Sequence, residues 1–539
     1  MLLRCAFNAA FAAFIVSGDG AATVSALQHP QNHEKTVKNI AIIGAGPAGS
    51  STAYHLNKFA HDAGTIVNIT VFERSRYVGG RSTTIDAYDD SSNPVELGAS
   101  IFVEVNRILM KAAEEFDLIK EQHVSNMDEH ELLGIWNGEK FVFTQEEGGW
   151  AWWDITKLIW KYGLAPIRTQ NLMKSTVGKY LKMYEAPFFP FRSLSDRAQD
   201  LGLISITAMT GDELLKSNKI GPPFTTDIIQ ASTRVNYGQN LGLIHGLETM
   251  VCMAIEGARQ IKGGNWQIFD RMVNSSGAAV QLDTHVTSLS KRDGKYVIQT
   301  AGTSSGEVKP DQDWFDTVVL AAPLQFSKIR ISDGLVKHIP DEIPYVTLHV
   351  TLFASPLKLN ESHFGLAPGA PVPSTVLTTL SADEDPTDRE NIVGKSGFFS
   401  ISTLRTTINP RTLQKEYLYK IFSPKAVTSE FLGSLFNVAL PKNVSDLTKE
   451  ASDKISWYYP HVWQAYPYEY PRITFDELEL ARGLYYTSGM ESFISTMETS
   501  ALMGMNVAQL IVDDLLGVMD ENVAIQKPSE QGALKMEEL

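Results

Sequence analysis

Six residues near the amino end, Gly44-Ala45-Gly46-Pro47-Ala48-Gly49, have the spacing of a loop that cradles a diphosphate. Gly44 permits a tight turn, Gly46 lets the main chain approach a pyrophosphate, and Gly49 lets a following helix pack against a preceding strand. The pyrophosphate would lie against the positive end of that helix, with Pro47 and Ala48 in the loop before it. Glu73 closes the next apolar run, where its carboxylate can accept hydrogen bonds from both ribose hydroxyls and would repel a 2′-phosphate, so NADP is disfavoured. Arg74 follows it. Val78-Gly79-Gly80-Arg81 adds two glycines that let the backbone run beside a diphosphate and an arginine that supplies positive charge. Glu96-Leu97-Gly98-Ala99-Ser100 comes next.

These residues need elements to hold them. Val37 to Ile43 reads as a buried strand, Ser50 onward as a helix, and Val67 to Phe72 as a second strand ending at Glu73. A bare glycine motif is weak evidence, but strand, loop, helix, strand and acid in this order make a strong one. Ala279 to Thr300 reads strand, turn, strand, with the turn at Asp293-Gly294, and Phe315 to Pro323 holds another buried strand. Gly483 to Glu491 leads into a long helix-like run from Ser492 to Leu516, able to aim its N-terminus at a cofactor.

The chain has 539 residues, 43% of them apolar and 20% charged, which excludes disordered, collagenous and coiled-coil classes. A net charge of −15 argues against nucleic acid as a partner. Two cysteines exclude a disulfide scaffold, and Cys252, among Met250, Val251 and Met253, reads as a buried small hydrophobe. Arg4, the apolar run Cys5 to Val16 and Val24-Ser25-Ala26 read as a secretory signal over 1–26, the alternative being an uncleaved anchor. That route gives meaning to the glycosylation sequons at Asn274, Asn360 and Asn443, whereas the one at Asn68 lies in a strand-like run and is expected to stay unmodified. No later segment is apolar enough to span a membrane. The polar tail 520–539 is expected to be disordered. The 12 histidines show no metal-ligand spacing such as HExxH, so no metal is expected.

The Gly79-Gly80-Arg81 and Gly98-Ala99-Ser100 segments resemble those of the large flavoprotein oxidase and desaturase superfamily, which points to FAD rather than NAD. Further stretches are more particular: Arg234-Val235-Asn236-Tyr237-Gly238-Gln239, Gly263-Gly264-Asn265, Gln464 to Pro471, Leu484 to Glu491, and Met497 to Ala501. Together with the glycine motifs they resemble the prenylcysteine oxidase family, also called prenylcysteine lyase, from about Lys38 to Leu516. The resemblance implies an α/β protein. A Rossmann-type FAD-binding domain would be built from discontinuous segments 37–105, 240–330 and 480–516. An α+β substrate domain, 106–239 and 331–479, would be inserted. It implies FAD contacts at Gly44, Gly46, Pro47, Ala48, Gly49, Glu73, Arg74, Gly80, Arg81, Gly98, Ala99, Ser100, Val286, Gly489, Met490 and Glu491.

The implied reaction uses FAD, O₂ and water to cleave the thioether of S-farnesyl- or S-geranylgeranyl-cysteine into cysteine, a prenyl aldehyde and hydrogen peroxide. The flavin carries the redox step, so no nucleophilic triad is expected. Tyr237 and Gln239 are the polar candidates for positioning the cysteine end or a water, with a structural hydrogen bond as the equal alternative. Trp150, Trp152, Trp153 and Trp160 could line a prenyl slot, although their spacing suits core packing better. Tyr466, Tyr468 and Tyr470 alternate as on an edge strand or loop interrupted by Pro467 and Pro471. A lysosome- or vacuole-like lumen is the expected destination, with the extracellular space as an alternative. Competing readings are another FAD oxidase, of amines or a lipid, and a flavin-free fold that escorts prenylated proteins.

Overall fold

Lys38–Ile43 buries its last four side chains, the continuous apolar run required of a strand covered on both faces. In the computed structural model, which describes residues 37–122, 132–146, 158–307 and 314–517, this strand lies inside a six-stranded sheet. The order runs Glu479–Ala481, Leu484–Tyr486, Thr317–Leu320, Lys38–Ile43, Val67–Phe72 and Ala279–Gln281. Pairing is parallel except between Glu479–Ala481 and Leu484–Tyr486. Three separate stretches of chain therefore supply this one sheet. The signal segment 1–26, the tail 520–539, and Trp150, Trp152 and Trp153 lie outside the described residues.

Two helices pack together beside the sheet. Pro47–Asp62 starts with Pro47 in its first turn, and Met497–Leu516 meets it closely. The approach depends on small residues: a Cβ on Gly504 would overlap the Ala48 carbonyl oxygen, and Ser51 Oγ donates to the Ala501 oxygen at 2.6 Å. The later helix begins at Met497, not at Ser492 as its composition suggests. Ser488–Ser492 forms a separate short turn, and Thr496 Oγ1 accepts the Thr499 amide at 3.1 Å, which fixes the helix start.

A smaller sheet holds the hairpin Thr284–Arg292 and Lys295–Gly302, flanked by Trp314–Phe315 and Arg330–Ile331. Its turn is the expected one, with Asp293 at φ 48° and Gly294 at φ 81°, the left-handed pair that matches strand twist.

The third large layer is a seven-stranded sheet. Its order is Trp457–Pro467, Tyr345–Ser355, Lys415–Ser423, Ser400–Ile408, Thr375–Thr378, Leu132–Trp136 and Phe141–Glu146. Trp457–Pro467 is an edge strand, and Pro467 ends it where no further ladder bond is needed. Register decides the composition of its faces. Leu352 pairs with both Lys420 and Tyr459, Val350 with Phe422 and His461, and Leu348 with Trp463. One face is thus apolar and aromatic, with a single lysine among these positions. Among the described residues no helix is long and apolar enough to cross a membrane.

Candidate functional site

The phosphate loop is built from main chain. Gly44 sits at φ +108°, and a Cβ there would come within 2.8 Å of the Ala321 oxygen. A Cβ on Gly49 would overlap the Gly44 oxygen, so both glycines are demanded by the fold itself. Gly46 differs: its nearest neighbour would be Gly80 Cα at 3.9 Å, which leaves open space where a ligand can approach. The helix that starts after Gly46 has no side-chain cap and no acid in its first turn, so its first amides are left for an anion. Ser82 Oγ, buried beside Gly79-Gly80-Arg81, has no hydrogen-bond partner.

Glu73 is 6% exposed and its two oxygens accept the amides of Ala45 at 2.8 Å and Ser75 at 2.7 Å. Each oxygen keeps a second lone pair for a ribose hydroxyl. The Glu73 carbonyl also takes the Thr284 amide at 2.9 Å. This brings Val286 and the register irregularity that follows it to the same end of the site. Arg74 is exposed and donates to the Phe326 oxygen at 3.0 Å. An open glycine contact, unclaimed helix amides, an orphan hydroxyl and a ribose acid fit the adenosine diphosphate half of FAD.

Arg81 joins this half to the rest of the molecule. Its guanidinium donates to Glu491 Oε2 at 2.6 Å and to the Ala465 oxygen at 2.5 Å. Tyr345 donates to the same Glu491 oxygen at 3.2 Å. Gly98 lies directly against Arg81, since a Cβ would overlap the Arg81 oxygen, and the Ala99 amide donates to that oxygen at 3.2 Å. Gly489 and Met490 are buried on the turn that carries Glu491, and a Cβ on Gly489 would reach Asp476 Cβ at 2.9 Å. Asn265, from the glycine-pair segment, donates its amide to Glu96 Oε1 at 2.6 Å and its side chain to the Ala99 oxygen at 3.1 Å.

Lys420 reaches this segment from the seven-stranded sheet. Its buried ammonium donates to the Glu96 main-chain oxygen at 2.8 Å and to Ser100 Oγ at 3.0 Å. Burial pushes Lys420 down to about 8 and Glu96 up to about 7, each opposed by the other's charge. The apolar sheet face thereby adjoins the Gly98-Ala99-Ser100 segment. Sequence reading missed this lysine. Its signal was available: in Leu418-Tyr419-Lys420-Ile421-Phe422 a charge shares the alternating face with Leu418 and Phe422.

Of the two polar candidates, Gln239 is consumed by the backbone. Its amide donates to the Pro467 oxygen at 3.1 Å and its oxygen accepts the Glu469 amide at 2.9 Å, a brace between two chain segments. Tyr237 is 4% exposed, lies edge-on to Tyr466 with ring centroids 5.1 Å apart, and directs its hydroxyl at Glu248. Glu248 belongs to a fully buried group with His245 and Glu469, whose ligand-type atoms lie within 4.8 Å of one another. No spacing rule announces this group, because Glu469 enters from a distant segment. A visible trace is Glu248 itself, an acid inside the apolar stretch Leu243 to Met253.

Trp160 is 90% exposed and so is not part of the core its spacing suggested. Cys252 is buried and free, its thiol raised well above the usual range by burial. Asn274 and Asn443 are exposed, while Asn360 is partly covered and accepts the Ser362 amide at 3.0 Å. Asn68 is exposed but lies within the strand Val67–Phe72.

Known proteins place this architecture. The pattern of the prenylcysteine lyase family matches residues 145–522, and that of an NAD(P)-binding Rossmann-like domain matches residues 42–116. The molecule is thus an α/β flavin-type oxidoreductase that binds FAD. Within that class the chain belongs to the prenylcysteine lyase family. It is 29% identical over 490 residues to farnesylcysteine lyase of Arabidopsis thaliana, covering 88% of each chain. It is 29% identical over 499 residues to prenylcysteine oxidase 1 of Bos taurus, again with 88% of each covered. Among solved structures, cyclohexylamine oxidase from Brevibacterium oxydans superposes with a TM-score of 0.54 at 13% identity, over 89% of this chain and 99% of that one. That likeness concerns the fold.

Proposed function

We propose that this chain cleaves the thioether of S-prenyl-L-cysteine, with O₂ and water as co-reactants, to cysteine, a prenyl aldehyde and hydrogen peroxide. The observation that carries the reading is the apolar face of the seven-stranded sheet, brought against the Gly98-Ala99-Ser100 segment by Lys420 in a member of this family. FAD, when bound, supplies the two-electron oxidation of the carbon attached to sulfur.

The protein's own residues do the rest. Gly46, Gly80 and the open helix amides hold the diphosphate, and Glu73 holds the ribose. Arg81, locked between Glu491 and the Ala465 carbonyl, fixes the junction between the cofactor end and the sheet. Phe422, Tyr459 and Trp463, partly exposed over buried Leu348, Val350 and Leu352, supply an apolar surface for an isoprenoid chain. The signal-like stretch read over residues 1–26 supports a secretory route to a lysosome- or vacuole-like lumen, with the extracellular space as the alternative.

Product analysis tests the reading against amine oxidation. Purified protein given S-farnesylcysteine in air should yield free thiol, aldehyde and peroxide in equal amounts. Ammonia and peroxide from an amine, with no thiol from S-farnesylcysteine, would overturn it.

A further inference from the structure

The buried group behind Tyr237 has no part in the chemistry above. His245, Glu248 and Glu469 are each 0% exposed, and His245 Nε2 stands 3.3 Å from Glu469 Oε2. None of the four carboxylate oxygens closes a hydrogen bond of good geometry, and the groups nearest Glu248 that could supply one are the Tyr237 hydroxyl and the Ser495 main chain. Groups left this way in a dry interior need a counter-charge or a proton.

A metal ion is the first candidate, and the histidine argues against it. His245 Nδ1 accepts the Glu248 amide at 3.1 Å, capping the helix Gly246–Cys252. In the neutral ring the proton must then sit on Nε2, which is the nitrogen facing Glu469, so no lone pair remains there for a metal. Protons are the remaining answer, because two facing carboxylates in a low-dielectric site cannot both ionise.

The surroundings agree. Burial, then the like charge of Glu469, pushes Glu248 up to about 8. Burial holds His245 down at about 4, so its ring is neutral. The groups facing Glu248 are Cys252 on its own helix, His245 at that helix's cap, Tyr237, Tyr466, Tyr180, Glu469 and the Ser495 main chain. Arg472, a partial counter-charge, lowers Glu469 and Glu491 raises it, which leaves Glu248 as the acid of the pair without a cation. Tyr237 links the group to the Arg81 junction: its ring abuts Tyr466, next in sequence to Ala465, whose carbonyl receives Arg81.

We propose that Glu248 is carried as a neutral carboxylic acid and, through the Tyr237 hydroxyl, supplies the proton taken up by the cysteine sulfur as the thioether breaks. The inference rests on the prenylcysteine reading. After oxidation and addition of water, the carbon bears both sulfur and a hydroxyl. The C–S bond breaks with its electron pair staying on sulfur. Sulfur takes the Tyr237 proton, Tyr237 takes that of Glu248, and the proton freed from the hydroxyl as the C=O bond forms returns to Glu248. No net proton or electron is consumed. Glu248 acts through Tyr237 and is therefore a positioning residue.

Anaerobic single-turnover mixing with S-farnesylcysteine separates the steps in wild type, Glu248→Gln and Glu248→Asp. Flavin bleaching should proceed equally in all three. Thiol release should slow about 100-fold in Glu248→Gln and be largely restored in Glu248→Asp. In wild type it should fall as pH rises through about 8, a fall that Glu248→Gln lacks. Infrared spectra without substrate should contain a protonated-carboxyl band that Glu248→Gln loses. Bleaching and thiol release slowed together, an unchanged pH fall in Glu248→Gln, or no such band in wild type would each overturn the proposal. A wild type that shows the band but never bleaches would instead overturn the prenylcysteine reading, and with it the proton's assignment to sulfur.

Discussion

The phosphate loop and the seven-stranded sheet meet at Arg81, yet they satisfy their polar groups by different means. In the loop nearly everything is main chain: glycines that admit close contact, helix amides left open, and one carboxylate already braced by two amides. On the sheet side the polar groups are titratable side chains under cover, Lys420 in the field of Glu96, with Glu248 and Glu469 behind Tyr237. The loop can hold a cofactor of fixed shape with no titratable group but Glu73. The sheet side keeps groups whose protonation burial has moved toward neutrality, the condition that acid–base work at neutral pH needs.

The contrast breaks most sharply at the glycines. Gly49→Val should prevent folding, because its side chain would overlap the Gly44 carbonyl. A Cβ at Gly46 meets only Gly80 Cα at 3.9 Å, so Gly46→Val should fold and lose FAD, weakening retention by at least about tenfold. Circular dichroism and flavin absorbance on the same samples check both. Equal behaviour of the two variants would erase the distinction between a glycine needed for packing and one needed for a ligand.

Next in size is the junction. Arg81→Met leaves Glu491, with only 7% of its side chain exposed, facing no cation at 2.6 Å. Because Arg81 itself is partly exposed, the expected loss is about 1–3 kcal/mol. Adding Glu491→Gln should recover much of that stability without recovering cofactor binding. Denaturant titration of the single and double variants reads the first, and flavin content the second.

The effect confined to acid pH concerns the cap. The folded His245 sits at about 4, below its unfolded value near 6.5. A depressed pKa contributes stability that is present above 6.5 and lost as pH falls toward 4. His245→Gln, which can still accept the Glu248 amide, should flatten that acid limb by on the order of 2–3 kcal/mol. Melting temperatures from pH 4 to 7 would show it, and an unchanged limb would place the titration elsewhere.

Legibility in the sequence follows the same division. The Gly44 to Gly49 loop, Glu73, the Asp293-Gly294 turn and the strand before Ala321 depend on local spacing, and the structure places them where that spacing implies. Lys420 and Glu469 depend on which strands pair and which segments cross, information spread over hundreds of residues that no single window carries. Gln239 was noticed for its polarity, but only its partners, Pro467 and Glu469, reveal that both ends of the amide are already bound to backbone. The last helix starts later than the apolar run from Ser492 suggests, because its cap is set by one hydroxyl, that of Thr496. Trp160 carried no signal that it would stand exposed.

The most direct test is anaerobic mixing of the purified holoenzyme with S-farnesylcysteine while the visible flavin spectrum is followed. The account predicts bleaching, release of free thiol, and return of the oxidised spectrum when air is admitted. A bound flavin that stays oxidised with prenylcysteine present would contradict it, leaving the fold and removing the substrate.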